Sequence, residues 1–440
     1  MQKEDLAINH PGYWPSFWPV ECGGNRRQKA VPGRLDAGRG AARVKSVRNG
    51  LWNVMVVRRD PGEWYLGGTL PAFQGPSPYG WVQRIDPESL EPIAQSPNLP
   101  CGEHVWCGAI LAHANGSIFS VNGCYLHRLD PVDLSVLAER RLPVDRSHNG
   151  LLVLADGSLV TKDLRLEGQG GTTLTRLDAD SLELMGEPFV LPEGSMGRIA
   201  ADITEEGVEF IYVPGTEHIW RLLRVRDEWE IDDWRPRYRD PNDSYGLAWD
   251  TCLSGGFCWL HDCGDIPPVR AIHGTEPNGR WSNPPNLSWR QSAPWRGAQR
   301  LIRIDLSDGS QVSHVAPFGK AAGGIIAPPV HVPSHQIAIA WDSINGGLAG
   351  LNDETLETLW QLPIRPTMQP VVYPESGEMV INDFTDQSSD DLVVIDLVSG
   401  DLVDRAETGS RVANGMFLSP GEDRDVFYCS TLTTARVSWG

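Results

Sequence analysis

A chain of 440 residues with 40% apolar residues can bury a large core, and its formal charge of −19 opposes nucleic acid and anionic membrane as partners. Its 46 glycines and 34 prolines are spread along the whole length without long amphipathic helical stretches, which argues for many short strands joined by turns. The start Met1-Gln-Lys-Glu-Asp is polar with no leader-like apolar core, and no stretch approaches the ~18 apolar residues of a membrane span, so a cytoplasmic location is expected. The cysteines at 22, 101, 107, 124, 252, 258, 263 and 429 show no C-x-x-C spacing, so neither a zinc site nor a disulfide framework is signalled.

Residues 1–40 read as an N-terminal arm. Between Arg26 and Arg48, the bases Arg26, Arg27, Lys29, Arg34, Arg39, Arg43, Lys45 and Arg48 face one acid, Asp36. Opposite charge favours docking of this arm across the acidic body. Residues 41–440 then carry one recurring pattern, an apolar strand ending near Asp, a turn and a second strand, first at Arg84-Ile85-Asp86. It returns at Arg128-Leu129-Asp130, Arg176-Leu177-Asp178, Arg303-Ile304-Asp305, Leu351-Asn352-Asp353 and Val394-Ile395-Asp396, with weaker echoes at Leu223-Arg224-Val225 and Ala435-Arg436-Val437. With markers at 85, 129, 177, 224, 304, 351, 395 and 437, the intervals are 44, 48, 47, 80, 47, 44 and 42 residues. Periods in the mid-forties correspond to one four-stranded propeller blade each.

A second marker precedes each of these by about one hairpin: a Gly opening an apolar strand, at Gly50, Gly108, Gly150, Gly197, Gly246, Gly324 and Gly415, with Gln369-Pro370 in its place once. Inner strands crowd around the axis, where a missing side chain lets backbones approach. The two markers predict an all-β, eight-bladed β-propeller. The last unit, from Asn414, supplies only three strands, so a segment near Ala41 to Val47 is expected to add the fourth and close the ring.

The segments Val394-Ile-Asp-Leu-Val-Ser-Gly-Asp-Leu-Val and Ile304-Asp-Leu-Ser-Asp-Gly-Ser-Gln-Val resemble the blade repeat of the quinoprotein-like propeller superfamily. The resemblance implies architecture and fixes no activity. Quinone-binding members carry a docking tryptophan late in each repeat, which only Trp360 matches here, and neither their cofactor ligands nor their vicinal disulfide has a counterpart. Pyrroloquinoline quinone is therefore not expected, and no cofactor is predicted.

In a propeller the first strand of each blade begins, and the second ends, on one face. The first-strand openings would bring Arg48, Asn49, Trp106, His148, Tyr245, Gln369 and Asn414 to this mouth, and the second-strand ends Lys162, Asp163, His261, Asp262, Trp341, Asp342, Asn382 and Asp383. Asp often ends a strand by bonding its own turn, which is the alternative reading of the four aspartates. A His beside carboxylates supplies a general acid or base near neutral pH. On this basis His148 and His261 are the proton-transfer candidates, with Asp163, Asp262 and Asp383 assisting and Lys162 stabilising negative charge. A divalent cation held by the carboxylates is a further option, although no calcium-loop signature is present.

His104 is read either as a member of the mouth or as a loop residue paired with Glu103. The 80-residue interval marks an insertion at 263–298, rich in Pro and Trp, that would rise over the mouth with Trp281 and Trp289 as aromatic walls for a small, partly apolar substrate. The expected function is non-redox acid/base chemistry of the lyase, hydrolase or isomerase kind. The competing expectation is a non-catalytic scaffold that binds a protein through its rim or basic arm.

Overall fold

The computed structural model describes all residues except 1–8, 41, 51, 71–76, 167, 226–227, 240–246, 263–296, 320–322, 324–326, 386–388 and 412–416. It is an eight-bladed β-propeller. Seven blades take their strands consecutively, at 53–95, 107–141, 148–190, 200–231, 248–315, 330–362 and 371–410, each ordered from inner strand to outer edge. The eighth blade contains Leu418–Pro420, Asp425–Cys429 and Thr433–Ser438, and its outermost strand is the N-terminal Arg43–Asn49, antiparallel to Thr433–Ser438. Closure by an N-terminal strand thus follows the expectation from the short last repeat.

The repeated Asp marks the turn between third and outermost strands. In the first blade the Asp86 carboxylate accepts the backbone N–H groups of Glu88 and Ser89, and the Leu90 N–H closes the turn on the Asp86 carbonyl at 2.8 Å. Asp130 with Leu134, Asp178 with Leu182, Asn352 with Leu356 and Asp396 with Gly400 repeat this arrangement. The fifth residue is left-handed each time, with φ of 64° at Leu90 and 75° at Gly400. The leucines at this position tolerate the strained backbone because burial against the blade compensates it.

Two of the marker glycines are required by close approach. A Cβ on Gly197 would stand 1.0 Å from the Trp249 carbonyl oxygen, and one on Gly108 would stand 2.3 Å from that of His148, so each lets neighbouring inner strands touch. Gly50 behaves differently: it lies just past the closing strand, and the first inner strand is Asn53–Arg58.

The arm is the least regular part of the fold and the most widely connected. From residue 9 to 40 it enters at the face where inner strands end. It bonds Arg58 of the first blade through the Trp18 carbonyl, Ala112 of the second through Pro19, and Val153 of the third through Tyr13 and Asn25. It goes on to Ala201 of the fourth through Asn25, Leu253 of the fifth through Arg26, and Pro329 at the sixth through Lys29. Val372 of the seventh bonds Lys29 and Val31, and Arg424 of the eighth bonds the Leu35 carbonyl. One segment therefore touches every blade.

Candidate functional site

The centre of the channel is built from this arm and from residues near the mouth-side openings of the inner strands. The short turn Glu21–Gly23 and the following Arg27 enter the axis, and left-handed backbone at Cys22, Arg27 and Lys29 lets the chain double back within the channel. The Arg27 guanidinium donates to Glu21 at 2.8 Å and to Asp250 at 3.0 Å. Arg198 reaches Glu21 at 2.8 Å and Asp250 at 3.7 Å, and its backbone N–H donates to the other Asp250 oxygen at 2.6 Å. All four are buried, so two positive and two negative side chains compensate one another away from water. The Arg198 guanidinium also lies over Phe417 and Trp106, 4.9 and 5.7 Å from the ring centroids. Gln369 and Cys22 complete the cluster.

The expected proton-transfer residues surround this plug, sealed from solvent. His148 is a register partner of Asp163, and its Nδ1 lies 3.0 Å from the Arg146 carbonyl. Burial pushes its pKa down to about 4. His261 has its Nδ1 3.0 Å from the Ala327 carbonyl and stands edge-on to Trp341, and burial pushes it down to about 3. Lys162 donates to the Ser195 carbonyl at 3.0 Å, and burial lowers it to about 7.

The aspartates at the second-strand ends act within their own blades. Asp163 accepts from Arg165 at 2.6 Å and from the Thr173 N–H at 2.6 Å. Asp262 is held by Arg300 at 2.6 Å, and Asp383 by Arg405 at 2.6 Å and the Arg365 N–H at 2.8 Å. Asp342 caps its own turn through the N–H groups of Ile344 and Asn345. Asn382 accepts from the N–H groups of Thr367 and Met368 and donates to Asp390. Trp341 is core.

Other expected positions fall elsewhere. Arg48 and Asn49 belong to the outermost strand of the closing blade, not to an inner-strand opening, because the chain pairs with Thr433–Ser438 before turning inward. Arg48 donates there to the Leu90 carbonyl and to Gln83. Trp106 is at the axis, where its indole N–H donates to Asn149 at 3.0 Å. Tyr245, Trp281, Trp289 and Asn414 lie outside the described residues. His104 pairs with Asp145 at 3.1 Å, at the mouth end of the second blade. The axial residues Glu21, Arg198 and Asp250 escaped the sequence reading, although Asp250 carried a signal: a lone charge within the otherwise apolar strand Leu247-Ala-Trp-Asp-Thr-Cys.

No protein-family model and no curated protein matches the chain. Solved structures do. The quinohemoprotein alcohol dehydrogenase ADHIIG of Pseudomonas putida HK5 is 9% identical with a TM-score of 0.65, over 100% of this chain and 82% of that one. A europium-containing methanol dehydrogenase is 10% identical with a TM-score of 0.64, over 96% and 90%. BamB of Moraxella catarrhalis is 12% identical with a TM-score of 0.54, over 90% and 100%.

These findings correct the expected lyase, hydrolase or isomerase chemistry. The dehydrogenases that share the architecture are redox proteins by name, and none of the three is an acid/base enzyme by name. The geometry agrees with this correction, since His148, His261 and Lys162 are fully buried and burial lowers the pKa of all three. By architecture the chain is an eight-bladed β-propeller, similar in fold to these dehydrogenases and to BamB.

Proposed function

We propose that this chain is a non-catalytic binding scaffold that works through its outer surface. The observation that carries the reading is the filled axis: the protein's own Glu21 and Arg27 occupy the channel and pair with Arg198 and Asp250. The arm, half of the competing expectation, supplies that plug, so its Arg27 and Lys29 are not a docking surface. The rim remains. The outermost strand of each blade is hydrogen-bonded within its sheet on one side only. Exposed apolar side chains recur on these strands, at Ile93, Leu137, Val190, Leu359 and Leu402. An extended segment of a partner protein fits such an edge by strand addition, with main-chain hydrogen bonds for affinity and the apolar residues for specificity. The charge of −19 favours a basic partner.

The axial residues do not fit pyrroloquinoline quinone. Their charges are already paired with one another, and no two cysteines are adjacent in the sequence.

Selection of peptides from a random library on the folded protein tests the reading. Enriched peptides should alternate apolar and basic residues, and Leu137→Lys or Leu359→Lys should weaken their binding at least about tenfold, the worth of about 1.4 kcal/mol. Peptides insensitive to every outer-strand substitution, or no enrichment, would overturn it.

A further inference from the structure

Three side chains of the second blade stand together apart from the axis. His104 precedes the inner strand Cys107–Ala112, Cys124 sits in the turn between second and third strands, and Asp145 follows the outermost strand, so all three meet at the mouth end. One oxygen of Asp145, Oδ1, is shared by two of them: it lies 3.1 Å from His104 Nε2 and 3.4 Å from Cys124 Sγ. The ligand atoms of the three all lie within 4.8 Å of one another. From this geometry we propose that His104, Cys124 and Asp145 form a zinc site with three protein ligands and a fourth position open to water.

The distances suit the ion. Zinc bonds of ~2.0–2.3 Å to nitrogen, oxygen and sulfur at tetrahedral angles place neighbouring ligand atoms about 3.4–3.6 Å apart. Two of the three separations, 3.1 and 3.4 Å, are within about 0.3 Å of that range, and the third, between His104 and Cys124, is at most 4.8 Å. A thiolate, an imidazole and a carboxylate together suit a borderline-soft cation and disfavour magnesium or calcium, which take oxygen alone.

The surroundings are arranged to bring the ligands together. Gly102, with φ of 69°, lets the His104 loop close over Cys124: a Cβ there would stand 2.7 Å from the sulfur. Gly123, with φ of 52°, does the same from the other side, since its Cβ would stand 1.9 Å from the Cys101 carbonyl oxygen. Arg141 lies 3.4 Å from the second carboxylate oxygen, Oδ2, and orients Asp145 so that Oδ1 faces the His and the Cys. His104 and Cys124 are buried whereas Asp145 is exposed, so water reaches the cluster from the Asp145 side. Three protein ligands and one solvent position distinguish a zinc that exchanges or activates a ligand from a closed structural one.

The test uses the full chain, stripped with a chelator and titrated with zinc against a chromophoric competitor, and separately with cobalt(II). One equivalent of zinc should bind. Asp145→Asn, a change at an exposed carboxylate, should weaken binding by more than about tenfold. His104→Ala should do the same, and Cys124→Ser should remove the thiolate-to-cobalt charge-transfer absorption. His314→Ala, on an exposed strand in the fifth blade, should change neither readout. Absence of stoichiometric zinc uptake by the folded wild-type protein would overturn the proposal, as would uptake that Asp145→Asn leaves unchanged, or uptake of copper(II) alone.

Discussion

The axis and the rim of the second blade both bring Arg beside carboxylate, yet the two regions use the pairing differently. At the axis, Arg27 and Arg198 share Glu21 and Asp250, and all four side chains are buried. At the rim, Arg141 and Asp145 are both more than half exposed, and one carboxylate oxygen is left for His104 and Cys124. The difference teaches that charge and residue type do not mark a reactive site by themselves. Burial with full compensation makes charged groups part of the framework, whereas a buried His and Cys beside a water-facing carboxylate keep a route for a ligand.

The largest effect that would break this comparison belongs to the axis. Gly197→Ala drives a methyl into the Trp249 carbonyl, and no side-chain rearrangement relieves a backbone clash, so loss of folded protein on expression is the expected outcome. Asp250→Ala should follow, because it strips one of two carboxylates from Arg27 and Arg198 and leaves uncompensated positive charge inside. A cost of ~3–5 kcal/mol is expected from denaturant titration. Asp145→Asn, measured without metal, should cost less than about 1 kcal/mol, as its ion pair with Arg141 is open to solvent. Equal costs for these two aspartates would erase the distinction drawn above.

Protonation sharpens the comparison further. Burial depresses His127 and His148 to about 4 and His261 to about 3. The unfolded chain takes up these protons near pH 6.5 and the folded one does not, so their contribution is present above pH 6.5 and is lost as pH falls toward 4. Thermal melts should show the midpoint dropping steeply across that interval, and His148→Gln should reduce the slope. Asp390 has the opposite sign. Burial raises it to about 7, although Asn382 and Tyr428 hydrogen-bond it, so its contribution is full below about pH 4 and is lost as pH rises through 7. Asp390→Asn should remove that loss, visible as a higher melting temperature at pH 8.

The sequence carried the fold because the same local necessities return in most of the blades. An Asp-capped turn and a close-approach glycine are local requirements with fixed residue preferences, so Asp86, Asp130, Asp178 and Asp396 could be recognised and the ring counted. The short final unit likewise announced its missing strand. The candidate site was less legible. His104 was noticed as one of two readings, but Cys124 and Asp145 are brought to it only by the fold of the blade, and no spacing rule connects 104, 124 and 145. The basic stretch around Arg27 was read as surface by charge alone. Its burial depends on Asp250 and Glu21, and the partner at 250 is more than two hundred residues distant.

The arm that reaches every blade has a consequence for biosynthesis. Residues 9–49 are synthesised before their docking sites, and the strand that Arg43–Asn49 pairs with, Thr433–Ser438, comes only after the strands of the seven other blades. The nascent chain must hold Arg43–Asn49 unpaired until Thr433–Ser438 has emerged. Ring formation therefore waits on the eighth blade.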